Sequence, residues 1–264
     1  MKYTYEELAK MIDHSLLHPT MTDQELEEGC KLAAHYGVAS VCIKPYAVKR
    51  AAELLKGTGV LVGAVIGFPH GNSATESKRY ETELACKDGA AEIDMVINIG
   101  KALGGDWDYV ERDIKAVCDE AGRHGAKVKV IFENDYLTKG GAGLTSDDFK
   151  RKLCQLCERA GAAWVKTSSG YGFVKQADGS YNYKGATEHD LALMRASVSA
   201  KVQVKAAGGV RDLDGLIKVR DLGGSRCGAT ATAAMMEDYR KREAAEKSGQ
   251  SVVGKSGSIG SGGY

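Results

Sequence analysis

The sequence predicts an α/β fold closed as a single (β/α)8 TIM barrel, and three observations carry that expectation. Short β-rich segments alternate with amphipathic helical stretches along almost the whole chain. Helix after helix ends on a glycine that sits just ahead of the next strand, as in "HYGVASVCI", "KDGAAEIDMVI", "RHGAKVKVIF" and "RAGAAWVKTS". The length, 264 residues, suits one barrel of eight such units, whereas an open doubly wound sheet usually has about five or six strands.

The elements follow in order. Eight strands are read at "MIDHSLL", "VASVCI", "VLVGAVIG", "AEIDMVIN", "KVKVIFE", "AAWVKTSS", "VQVKAAG" and "SRCGAT". Helix starts are marked by hydroxyl residues with an acid three positions on: Thr22 with Glu25, Ser73 with Glu76, Thr145 with Asp148, and Thr187 with Asp190. Gly37, Gly89, Gly125 and Gly161 mark helix ends. The repeated order of helix, glycine and strand implies parallel strands joined by right-handed crossovers. The barrel is expected over residues 1–240. The remaining 241–264 form a flexible tail, because "SGQSVVGKSGSIGSGGY" is rich in glycine and serine and has no core-forming composition.

Composition narrows the function. Thirty-six basic residues against 35 acidic ones leave a net charge near +1, so no overall field attracts nucleic acid or an anionic membrane. Any anion site must be local. Apolar runs such as "VLVGAVIGF" are roughly half the length that spans a bilayer, and no secretory signal pattern opens the sequence. Seven scattered cysteines argue for a reducing compartment, so a cytoplasmic location is expected.

Alternation along the strands assigns faces. In "EIDMVIN", Ile93, Met95 and Ile97 suit the helix layer, so Glu92, Asp94 and Val96 point into the barrel. The same parity turns Lys129 and Glu133 inward, with Val128, Val130 and Phe132 outside. It also turns Trp164, Lys166 and Ser168 inward, and Gln203 with Lys205. One inward lysine can be a structural ion pair, as Lys129 with Asp94 or Glu92 would be. Two more change the chemistry. If Lys166 and Lys205 come within ~4–5 Å, their repulsion at an effective dielectric near 20 is about 3–4 kcal/mol. That is enough to bring an amine from about 10.4 towards ~7.5 and to give it a nucleophilic fraction at neutral pH, as Schiff-base catalysis needs.

A second feature asks for an anion. "AAGGVR" follows Lys205 directly and "GGSRCGAT" carries the last strand, which puts glycine-rich turns after the two final strands. Backbone amides of Gly208, Gly209 and Gly228, with Thr230, can cradle a phosphate there, helped by a helix N-terminus.

These residues resemble a known family. "EIDMVIN", "WVKTSSG" and "VKAAGGVR" in that order, with "MIDHSLL" near the start and "CIKP" after the first long helix, are similar to deoxyribose-phosphate aldolase, a class I aldolase, over roughly residues 8–237. The resemblance implies reversible cleavage of 2-deoxy-D-ribose 5-phosphate to acetaldehyde and D-glyceraldehyde 3-phosphate, without metal or organic cofactor. The expected partners are that sugar phosphate and the aldehydes, with homodimer or homo-oligomer assembly compatible with the reading. By motif, Lys166 would form the Schiff base, Lys205 would be the neighbouring cation and Asp94 would assist proton transfer. Asp13, placed at the end of the first strand, would be a supporting acid. The phosphate would rest on Gly170, Gly208, Gly209, Arg211, Gly228 and Thr230, and the terminal Tyr264 would correspond to a tyrosine that relays protons. Two departures stand out: Tyr171 where some members carry lysine, and Ala231 where a hydroxyl residue is common. Strand alternation alone does not choose between the two lysines. It leaves open another lysine-dependent aldolase or transaldolase-type barrel, or a barrel that only binds a phosphorylated ligand.

Other signals read as packing. Cys154 and Cys157 sit mid-helix among leucines, His14 and His18 lack a metalloprotease glutamate between them, and Cys42 is a small filler near the expected mouth.

Overall fold

A computed structural model of the chain describes residues 1–249 together with Gly257, Ile259 and Gly260. Eight parallel strands close into a barrel: β1 (Ile12–Leu16), β2 (Ser40–Ile43), β3 (Leu61–Ile66), β4 (Glu92–Val96), β5 (Lys127–Ile131), β6 (Trp164–Lys166), β9 (Gln203–Ala207) and β10 (Arg226–Ala229). Strand β1 pairs with β2 on one side and with β10 on the other, which leaves no open edge. All eight lie within the segments expected from the sequence. Between β6 and β9 the chain adds a small antiparallel hairpin, β7 (Val174–Lys175) and β8 (Tyr181–Asn182), which the strand pattern did not single out.

The helices form the outer layer: α1 (Tyr5–Ala9), α2 (Asp23–Tyr36), α3 (Val48–Leu55), α4 (Thr75–Lys87), α5 (Ile99–Leu103), α6 (Trp107–Arg123), α7 (Ser146–Ala160), α8 (Glu188–Ala196), α9 (Leu213–Asp221) and α10 (Thr232–Lys247). Three of the four expected caps form, with the hydroxyls of Thr22, Thr145 and Thr187 accepting from the amides of Glu25, Asp148 and Asp190. The fourth does not. Helix α4 begins one residue later, with Ala74 as its cap, and the hydroxyl of Thr75 donates instead to Asp113 of α6. Gly37 and Gly161 end α2 and α7 with φ of 64° and 88°, a left-handed conformation that glycine adopts at little cost.

One boundary differs from expectation. Helix α10 runs to Lys247, so residues 241–247 are helical rather than tail; their run of charged residues and alanines supports helix even without an apolar face. Beyond it, Gly257 lies against Asp214 and Gly215, and Gly260 lies beside Gly209. Tyr264 falls outside the described residues.

Outward strand residues fill the space beneath the helices: Ile93, Met95, Val128, Val130, Phe132 and Val204 are all almost fully buried there. Cys154 and Cys157 belong to the same layer. The inside of the barrel is different. Branched aliphatics commonly fill this space, but here Asp13, Glu92, Asp94, Lys129, Lys166, Lys205 and Arg226 occupy much of it. Among the described residues no helix is long and apolar enough to cross a membrane.

One ion pair outside the barrel holds the helix layer to the sheet. Lys78 of α4 donates to Asp113 of α6 at 2.6 Å and to the carbonyl of Val96 at 2.9 Å, with both side chains buried. Burial pulls the Lys78 amine below its ordinary value, and Asp113 opposes that pull. Asp113→Ala strands the ammonium without its partner and should lower stability to urea by about 3–5 kcal/mol, while the double change Lys78→Met with Asp113→Leu should recover most of the loss. A loss under about 1 kcal/mol for the single variant would mean that the pair does not clamp these helices.

Candidate active site

The register of the sheet gathers the inward charges. Lys166 and Lys205 are direct neighbours across β6 and β9, Asp94 sits opposite Lys129 across β4 and β5, and Arg226 faces Lys205 across β10 and β9. Because period two sends each of these side chains to the interior, they meet on the barrel axis. Asp94 is the hub: one oxygen, Oδ2, accepts from Lys166 Nζ and Lys205 Nζ, each at 2.7 Å, and the other, Oδ1, accepts from Lys129 Nζ at 2.9 Å. The two amines are therefore at most twice that hydrogen-bond length apart.

Asp13 forms a second hub. Its Oδ2 lies 2.5 Å from Lys205 and 3.2 Å from Lys129, while Oδ1 takes Arg226 at 2.5 Å and the hydroxyl of Ser40 at 2.8 Å. Asp13 is the second residue of β1, so it lies deep in the barrel and not at the strand's end as expected from sequence. Glu92 closes the network on Lys129 and Arg226, and Arg226 and Lys129 both lie over the ring of Trp164. Sequence alternation had turned Glu92 and Lys129 inward, but Arg226 was missed. Its parity with Gly228 on the last strand was the available signal.

Four cations and three carboxylates thus share one buried network. If all were ionised, one positive charge would remain unbalanced in a medium where that is expensive. The groups respond unequally. Burial would raise the Asp94 carboxyl, but Lys129, Lys166 and Lys205 outweigh it and hold Asp94 well below the usual range. Burial alone would lower Lys205, yet Asp13 and Asp94 hold it well above its ordinary value. Lys166 goes the other way. Burial lowers it most, Asp94 pulls it back, and Lys205 lowers it again, so the amine stays below its ordinary value. Spacing alone makes repulsion from Lys205 the leading cause; the structure puts desolvation first, because Lys205 spends much of its field on Asp13 and Asp94.

Lys166 also has access to the cleft. It and Lys205 lie at the floor of a cleft of about 110 Å³ at the C-terminal mouth of the barrel. Gly208 and Gly209 after β9 line one wall, joined by Arg211, and Gly228 and Thr230 after β10 line the next. Gly170 after β6 completes it. The whole set expected for an anion is brought together. Helix α10 starts directly after Thr230 and Ala231 with no side-chain cap, so its first amides lie at the rim of the same cleft. Leu17 and Cys42, which also line the cleft, form a small apolar cluster with Val65, Phe68 and Tyr171. Tyr171 packs edge-on against Phe68 with ring centroids 5.5 Å apart.

Three polar lining residues had not been singled out: Ser15, Ser169 and Tyr183. Ser169 is fixed by Glu133, whose Oε1 accepts from the Ser169 amide and whose Oε2 accepts from its hydroxyl. Glu133 is a non-glycine residue at φ 58°, with Gly172 packed against its carboxyl group where a side chain would collide.

Together, fold and cleft define a (β/α)8 barrel enzyme with a lysine amine held below its ordinary value at the floor of a pocket lined by groups that suit an anion. Comparison with known proteins then places it: the model of the DeoC/LacD family aldolases matches residues 8–230, and the chain belongs to that family. A deoxyribose-phosphate aldolase of Rhodopirellula baltica is 49% identical over 91% of this chain and 92% of its own length. One from Thermococcus gammatolerans is 42% identical over 90% of this chain and 98% of its own. Among solved structures, the aldolase QR15 superposes with a TM-score of 0.79 at 32% identity, covering 90% of this chain and 98% of its own. The tetrameric deoxyribose phosphate aldolase of Aeropyrum pernix gives 0.76 at 28% identity, covering 90% and 92%.

Glu133 supplies a test of the site's support. Burial pushes its carboxyl up to about 7 from an ordinary 4.5, against the bonds from Ser169. Between those values the folded chain keeps a proton that the unfolded chain has lost, so stability should fall as pH rises from about 4.5 to 7, by up to about 3 kcal/mol, and then level off. Glu133→Gln should remove that slope in urea denaturation followed across pH. An unchanged slope would mean that the carboxyl is not buried as described.

Proposed function

We propose that this chain acts as a deoxyribose-phosphate aldolase in which Lys166 is the Schiff-base amine and the glycine-lined wall holds the phosphate. The observation that carries the reading is the position of Lys166. It is the one member of a cation-rich buried network that both faces the cleft and is held below its ordinary pKa.

The reaction is the reversible cleavage of 2-deoxy-D-ribose 5-phosphate to acetaldehyde and D-glyceraldehyde 3-phosphate. Uncharged Lys166 attacks the C1 aldehyde of the open-chain sugar, and loss of water from the carbinolamine gives an iminium. Removal of the C3 hydroxyl proton then lets the C2–C3 bond break, its electron pair moving towards the iminium nitrogen to form an enamine. Glyceraldehyde 3-phosphate leaves. Protonation of the enamine at C2 and hydrolysis release acetaldehyde and return the free amine. The iminium returns a positive charge to the Lys166 position beside Asp94, whose oxygen already accepts from that nitrogen. Asp94, bonded to both amines, is the group placed to pass protons between Lys166 and Lys205, and Asp13 keeps Lys205 charged.

The far end of the substrate anchors it. Amides around Gly208, Gly209 and Gly228, the N-terminus of α10, Thr230 and Arg211 suit a phosphate monoester, whose binding energy positions the reacting carbon over Lys166. The apolar patch at Leu17 and Cys42 suits the two-carbon fragment, which carries no polar group beyond the reacting aldehyde.

Acetaldehyde and borohydride should reductively label Lys166, as peptide mapping would reveal; a chain that binds sugar phosphate yet takes no label would be a binding barrel instead. Cleavage of 2-deoxyribose 5-phosphate should exceed that of fructose or sedoheptulose phosphates. Lys166→Arg should abolish turnover, because a guanidinium stays protonated and forms no imine; ordinary residual turnover would contradict the assignment. Lys205→Met leaves three cations against three carboxylates and removes a charge that opposes protonation of Lys166. The acid limb of the kcat/KM profile should therefore move to higher pH. A limb that stays in place or moves down would remove Lys205 from this role.

A further inference from the structure

The hairpin between β6 and α8 is built onto the cleft. Its turn closes where Gln176 accepts from Gly179 and donates to Ser180, with Gly179 at φ 86° and Asp178 holding the Ser180 amide. Tyr181 on its second strand is exposed, yet Tyr183, two residues on, is 5% exposed and lines the cleft. The backbone after it explains why. Asp135 accepts from the amides of Lys184 at 2.6 Å and Gly185 at 3.0 Å, and the Ala186 amide donates to the carbonyls of Ala207 and Gly208. On the entering side, the hydroxyl of Tyr136 donates to the carbonyl of Phe173, and Phe173 packs edge-on against Tyr183 with centroids 5.3 Å apart.

Tyr183 therefore has a fixed seat, and the seat is Gly208. A methyl group placed on Gly208 would lie 3.3 Å from ring carbon Cε2 of Tyr183, and one on Gly185 would strike the Gly208 backbone at 2.7 Å. Gly208 itself has φ 81°, a conformation that can relax along several directions once neighbouring atoms are removed.

We propose that Tyr183 is a specificity-determining residue for the phosphorylated end of the substrate: its ring walls the cleft beside Gly208 and holds the Gly208–Gly209 turn in the conformation that presents amides to the anion. Asp135 is a positioning residue, because it acts only by fixing the backbone that carries Tyr183. The inference rests on the reading that this wall receives the phosphate while Lys166 takes the aldehyde.

The test compares 2-deoxyribose 5-phosphate with unphosphorylated 2-deoxyribose for Tyr183→Ala, Tyr183→Phe and Asp135→Ala. Loosening one charge-directed amide contact corresponds to about a tenfold rise in KM for the phosphorylated sugar. Tyr183→Ala should show that rise with kcat nearly unchanged and with kcat/KM for 2-deoxyribose equal or higher. Tyr183→Phe, which keeps the ring, should show a smaller rise than Tyr183→Ala, and Asp135→Ala should shift KM in the same direction as Tyr183→Ala, which keeps the test available if the alanine at 183 does not fold. Equal losses on both sugars, or no change in the ratio, would overturn the proposal. Borohydride trapping with acetaldehyde separates the two readings: label on Lys166 with an unchanged ratio defeats the role of Tyr183 alone, and no label in the parent chain defeats the aldolase reading beneath it.

Discussion

A buried network with one more cation than carboxylates is the constraint on which the rest of this structure depends. Ion pairs inside proteins usually come to balance, because leftover charge in a poorly solvated interior is unfavourable. Here Asp13, Glu92 and Asp94 face Lys129, Lys166, Lys205 and Arg226, and the excess can be relieved by one amine giving up its proton. Three of the four cations are tied to two or more carboxylates. Lys166 is tied to one, shares that carboxylate's oxygen with Lys205, and keeps a trace of exposure at the cleft that Lys205 lacks. The proton is therefore weakest where a substrate can arrive.

The division of labour follows the architecture. Strand residues, fixed by the barrel's hydrogen bonding, carry the charges whose spacing must be exact to a fraction of an ångström. Turns after the strands carry the groups that hold the substrate's distal end, where backbone amides and a helix terminus are sufficient. The cleft thus combines an anionophilic wall, an apolar patch at Leu17 and Cys42, and a reactive floor. Supporting contacts lie one layer further out: Ser40 on Asp13, Glu133 on Ser169, Asp135 on the hairpin.

Much of this was legible in the sequence because a barrel strand obeys period two. An inward lysine in "WVKTSSG" or "VQVKAAG" is conspicuous when its flanking valines must face the helices, and the same parity exposed Asp94, Glu92 and Lys129. Other features escaped for physical reasons. Arg226 lies on a short strand that is only four residues long and interrupted by glycine, so alternation is faint. Ser73 and Glu76 have the spacing of a cap, but Thr75 is drawn to Asp113 and the helix starts later. The hairpin strands are two residues each, too short for periodicity, although the "ADGS" turn between β-favouring residues was a usable sign. Which cause dominates the shift at Lys166 could not be read from spacing, since it depends on how completely the barrel removes water from the amine.

Direct titration of the Lys166 amine tests that central point. With lysine labelled at Cε with carbon-13, the resonance missing from Lys166→Arg identifies the residue, and its chemical shift can be followed against pH in the free enzyme. The account predicts a midpoint clearly below the ordinary 10.5 for a lysine amine, with the rest of the network's lysines still charged at that pH. A midpoint at or above that value would show that Asp94 holds the proton in place, and the site as described would have no nucleophile at neutral pH.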